Sequence, residues 1–112
     1  MTRTITMRST DRDTAGDSRL LWASLDEAGD LVIHGQDLGP AVKGTFGGSS
    51  YEWFLRHPRT DIPALLVVLG APADAVVLDV IEERFCGVEA DTFETLVRES
   101  DLTPEFFSWI ND

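Results

Sequence analysis

The sequence predicts an α+β fold: a small three-stranded antiparallel sheet from the N-terminal half, packed by about four short helices from the C-terminal half. Two observations carry the prediction. Apolar residues alternate with a period of two through much of residues 20–57, then recur every three or four residues beyond residue 61. Gly, Pro, Asp and Thr fall at the boundaries between these segments. The 112 residues, 43% of them hydrophobic, suit one such domain, placed at residues 18–112.

Residues 1–17 are polar, mixed in charge and without a period, and read as a flexible tail. "RLLWASLDEAGDLVIHGQD" then reads as a hairpin with its turn at Asp26–Asp30, where Gly29 supplies a positive φ. "SSYEWFLRH" is the third strand, with Tyr51, Trp53 and Leu55 on one face and Glu52, Phe54 and Arg56 on the other. Such a sheet needs a cover on its apolar face. "IPALLVVL" follows Asp61 as cap and stops at Gly70, with Pro63 in its first turn. "PADAVVLDVIEERF" carries a stripe of Val77, Leu78, Ile81 and Phe85. A third helix is expected at Thr92–Glu99 behind Asp91. A fourth is expected in "TPEFFSWI", with Thr103 as cap, Pro104 in the first position and Glu105 at the positive end of the dipole.

The net charge is −11, and it is unevenly spread. Residues 1–19 carry +1, residues 20–60 carry −2 and residues 61–112 carry −10. Such a surface repels nucleic acid and anionic membranes and favours basic partners, although the same excess also serves solubility. A single Cys86 excludes an internal disulfide framework. The opening residues lack the apolar run of a secretory signal, and "IPALLVVLGAPA" is too short to span a bilayer. The expected location is the cytoplasm.

"GQDLGPAVKGTFGGSS" has the spacing of a phosphate loop in Gly39 and Gly44, but not its chemistry. Lys43 precedes the second glycine instead of following it, and Pro40 lacks an N–H. The stretch reads as a connector, with Asp37 and Phe46 as recognition-loop candidates. Cys86 follows an acidic helix face at the negative end of the dipole, which opposes a reactive thiolate. His34, His57 and Cys86 form no zinc pattern, and Asp79, Glu82 and Glu83 lack the glycine turn of a calcium loop. No cofactor, metal or catalytic residue is assigned.

"GQDLGPAV", "YEWF", "DIPALLVVLG" and "FFSWIND" together resemble a family of short acidic actinobacterial proteins of unassigned function. Its members carry a strand, a G-x-D-L-G turn, Y-E-[YW], and a closing F-W-S-type helix with a terminal Asp. Here the end reads Phe106-Phe107-Ser108-Trp109, so the Trp is displaced from that pattern. The resemblance covers about residues 20–112. It implies a cytoplasmic bacterial single domain and carries no activity.

The function expected is that of a non-enzymatic acidic protein-binding module, similar in character to an immunity protein or antitoxin. It would neutralise a basic partner protein, a toxin or a nucleic-acid-binding protein, without touching nucleic acid or membrane itself. Asp79, Glu82, Glu83, Glu94 and Glu105 are the candidate carboxylates, with Phe106 and Trp109 as anchors. Two alternatives stay open. One is a nucleic-acid mimic, whose carpet of carboxylates Arg84 and Arg98 would interrupt. The other is a ligand-binding or enzymatic domain using the 35–50 loop with Tyr51, His34, His57 and Asp37.

Overall fold

One residue in two along the strands faces a shared apolar layer, and that alternation builds a larger sheet than expected. In the computed structural model, which describes residues 3–10, 18–38 and 50–111, five strands pair antiparallel in chain order. They are β1 (Thr4–Thr10), β2 (Ser18–Leu25), β3 (Leu31–Leu38), β4 (Ser50–His57) and β5 (Glu105–Asn111). Among the described residues three helices, α1 (Ile62–Val68), α2 (Val77–Arg84) and α3 (Ala90–Arg98), lie between β4 and β5 in the chain. Single 3₁₀ turns at Arg59–Asp61 and Gly87–Glu89 precede α1 and α3.

Ile5, Met7, Leu21, Ala23, Leu31 and Ile33 form the buried side of the sheet. Leu65, Leu66, Leu69, Val77, Leu78, Ile81, Phe93 and Val97 meet them from the helices. Each fully buried side chain of this size contributes roughly 1.5–3 kcal/mol. Phe85 and Phe93 add an edge-to-face contact with ring centroids 5.8 Å apart. Gly35 sits in this layer opposite Trp53, and the indole packs over it where a β-carbon would stand.

The hairpin turn follows its sequence. The Asp26 carboxylate accepts the N–H groups of Ala28 (2.9 Å) and Asp30 (3.0 Å), and Gly29 takes φ 85°. Asp30 in turn accepts the Arg59 N–H at 2.7 Å, tying this turn to the chain leaving β4. Gly70 ends α1 with φ 78°. Asp61 does not cap α1 through its side chain, because it already has helical backbone angles as the last residue of the 3₁₀ turn.

Asp91 likewise lies in the first turn of α3, behind Glu89 at the cap position. Two larger expectations also need correction. Among the described residues the sheet has five strands instead of three, and the helices number three instead of four, within the same α+β class. "EFFSWIN" is strand β5, paired along β4 from Arg56↔Glu105 to Ser50↔Asn111. Its aromatic and β-branched residues favour a pleated surface once a partner strand is present, and this outweighs the local helix-start residues before it. Residues 4–10 form β1 instead of belonging to a tail. Ile5 and Met7 anchor it to the core, and two arginines clasp it to the helices. Arg3 pairs with Asp79 and Glu82 of α2, and Arg8 grips Asp91 of α3 with two bonds of 2.8 and 3.1 Å.

Replacing Gly35→Ala forces a methyl group into the Trp53 ring, so urea denaturation should show a loss of about 1–3 kcal/mol. An unchanged midpoint would contradict this packing.

Candidate functional site

The helix layer covers the sheet unevenly. α2 packs over β1 and β2. α3 starts above β1 through Asp91 and crosses toward the other end of the sheet. Beyond it lies a cleft of about 520 Å³ between α3 and strands β3 to β5. Its walls are apolar: Ile33, Trp53 and Leu55 from the sheet, Phe93 and Val97 from α3, and Phe106 from β5. Leu102 and Pro104 come from the loop between α3 and β5, and Tyr51, Glu94 and Arg98 supply the polar atoms. Phe106 keeps 58% of its surface exposed at the mouth.

The opposite face of the sheet carries no helix among the described residues. An aromatic row crosses it in register, from Trp22 to His34 to Phe54 to Phe107. The His34 ring stacks on Phe54 at 4.2 Å and meets Trp22 at 4.8 Å, and the Arg56 guanidinium lies 5.8 Å from the Phe107 ring. His34 Nε2 is 3.4 Å from Glu52. These rings pack along the sheet, with Phe107 still exposed, and leave a shallow depression bounded by Val32, Phe54, Arg56 and Phe107.

The expected partner-binding residues therefore do not form one face. Glu94 and Phe106 meet at the cleft. Asp79, Glu82 and Glu83 are exposed on α2, at the β1 end of the sheet, and Arg3 engages the first two. Glu105 alternates with Phe106 and pairs with Arg56, which places it on the opposite face of the strand. Asp37 lines a smaller depression with Arg8, Trp53 and Glu94. Phe46 and the Trp109 side chain lie outside the described residues, and position 109 pairs with Glu52. Leu102 was not singled out from sequence, and Val97 and Pro104 were expected only as helix positions and not as part of a site. The usable signal was the two-residue alternation of Phe106 and Ser108 against Phe107.

The ligand-pocket candidates do not converge either. Tyr51 borders the cleft, but His34 lies on the far face and His57 is only 1% exposed in the core. His57 Nε2 has no hydrogen-bond partner among the described residues. Burial pushes its pKa down, against a smaller upward pull from the Asp61 charge. The Cys86 thiol is pushed up, first by burial and then by the Glu82 charge. Among the described residues, no group of three or more His, Cys, Asp or Glu is placed to hold a metal ion. No helix there is long and apolar enough to cross a membrane. The cleft offers apolar contact with a few polar atoms at its rim, which is the chemistry of binding.

No family model, curated protein or solved structure matches this chain.

Keeping His57 neutral sets a sign for the pH dependence. Its contribution is complete above the unfolded-state pKa of about 6.5. It is lost as the pH falls toward the lower folded-state value, because the unfolded chain then binds the extra proton. The urea midpoint of a His57→Leu variant should therefore fall less than that of the parent between about pH 7 and pH 5. Equal slopes would contradict a buried neutral imidazole. Iodoacetamide should alkylate Cys86 in the native protein more slowly than free cysteine at neutral pH, and a faster rate would contradict the raised thiol.

Proposed function

We propose that this protein is a non-enzymatic protein-binding module that neutralises a basic partner, in the manner of an immunity protein or antitoxin. The observation that carries the reading is the apolar cleft between α3 and β5, with Glu94 at its rim and Phe106 exposed at its mouth. An apolar anchor of the partner enters the cleft and is desolvated there, which is how a few residues come to dominate an interface. Glu99 and Asp101 flank the cleft-lining residues Arg98 and Leu102 in the chain and are both exposed. With Glu94 they outnumber Arg98 and favour lysine or arginine beside the partner's anchor. Asp79, Glu82 and Glu83 lie farther away, on α2, and act on the rate of encounter through the long-range field.

The partner class that fits is a basic toxin or a nucleic-acid-binding protein, whose own functional surface is positively charged. The volume of the cleft also falls within the range of small-molecule pockets, which run to about 300–1,000 Å³. A saturable thermal shift with an apolar metabolite, in the absence of any protein partner, would replace the present reading with that one.

Capture from host lysate on immobilised protein, followed by a salt gradient and mass spectrometry, tests the proposal. One basic protein should bind stoichiometrically and elute at moderate salt. Glu94→Lys and Phe106→Ala should each weaken its affinity about tenfold, roughly 1.4 kcal/mol. A partner held equally well by both variants, or no stoichiometric partner, would overturn the assignment.

A further inference from the structure

We propose that two copies of this chain join through their β5 edges, antiparallel about Ser108, to form one continuous sheet of ten strands. This goes beyond the partner-binding reading and does not depend on it. The sheet ends in β1 on one side and β5 on the other. An edge strand presents unpaired N–H and C=O groups, and natural sheets blunt such edges with charge, proline or bulges. β1 has these defences: its register shifts between Thr6 and Arg8, and Arg3 and Arg8 flank its apolar anchors. β5 has none. Its register on β4 is unbroken over seven residues, and no charged residue or proline occurs from Phe106 to Ile110. Among the described residues no strand pairs its outer side. Phe106 and Phe107 remain 58% and 46% exposed.

The strand is complementary to itself in one register. When both helix layers lie on the same side of the joined sheet, directly opposed residues share a face, so one residue must sit on the two-fold axis. With Ser108 there, position 106 opposes 110 and position 107 opposes 109, apolar against apolar in both cases. Glu105 opposes Asn111, and the two Glu105 residues lie about 20 Å apart along the strands, beyond the screening length at physiological salt. Centring on Phe107 would set Glu105 against position 109 and Phe106 against Ser108. Centring on position 109 would set Phe106 against Asp112. Of these three registers, only the one centred on Ser108 opposes apolar to apolar at 106/110 and 107/109 and leaves the charge of Glu105 at the ends, opposite Asn111. The occupant of this edge is therefore a second copy.

Sedimentation equilibrium on the full chain should give twice the 12.4 kDa monomer mass. Phe107→Lys, on the same edge, should raise the dimer dissociation constant tenfold or more while leaving the circular dichroism unchanged. Register is read by cysteines placed in a Cys86→Ser background. Ser108→Cys places two sulfurs across the axis at a Cα separation of about 4.5–5.5 Å, within disulfide reach. It should cross-link under mild oxidation at least tenfold faster than Glu105→Cys. This comparison decides the matter even if Phe107→Lys fails to fold. A monomer at all concentrations would overturn the proposal. So would a dimer in which Ser108→Cys does not cross-link, or in which Glu105→Cys cross-links equally fast.

Discussion

An antiparallel sheet with one apolar face must have that face covered, and here the cover is inserted between two strands that pair with each other. β4 and β5 pair from Arg56↔Glu105 to Ser50↔Asn111, yet residues 58–104, including the three described helices, separate them in the chain. Pairing β5 with β4 therefore pins both ends of the helical segment to one end of the sheet. The segment leaves β4, covers β2 and β1 with α2, and returns along α3 to the starting edge. β1 is held at the far end by Arg3 and Arg8, whose partners Asp79, Glu82 and Asp91 come from that same segment. The cleft is the space that the returning chain leaves between α3 and β5.

Much of this was legible in the sequence. The β2–β3 hairpin, the face assignment along β4, the stripe of α2 and the place of α3 follow from periodicity and turn chemistry that are complete within each segment. Strand β1 was not legible because an edge strand with one buried face needs few apolar residues. Ile5 and Met7 suffice, and a bulge after Thr6 interrupts even that short pattern. The helix expected at 103–110 failed for another reason. Thr103, Pro104 and Glu105 have the form of a helix start, but they precede a run that finds a long-range partner in β4. Local capping is worth about 1 kcal/mol, and a full ladder with cross-strand aromatic pairs outweighs it.

The same misreading scattered the expected site. As a helix, "EFFSWI" would have presented Glu105, Phe106 and Trp109 as one patch beside the acidic face of α2. As a strand, it sends Glu105 toward Arg56 and Phe106 toward Glu94. Of the expected acidic residues, Asp79 and Glu82 pair with Arg3, as Asp91 does with Arg8, while Glu94 lies at the cleft and, among the described residues, Glu83 and Glu105 do neither. The two imidazoles are absorbed in a similar way, His57 by the core and His34 by an aromatic stack. The binding proposal rests on the contact surface of the cleft.

The pairing of β5 with β4 is thus the feature on which fold, cleft and proposed function all depend. The most direct test is a nuclear Overhauser map of residues 103–111 in isotope-labelled protein. Strong sequential αN contacts are expected through Glu105–Asn111, with cross-strand contacts linking Leu55 to Phe106 and Trp53 to Ser108. Helical contacts between residues three and four apart over 104–110, with none to β4, would contradict this pairing and return the segment to a helix.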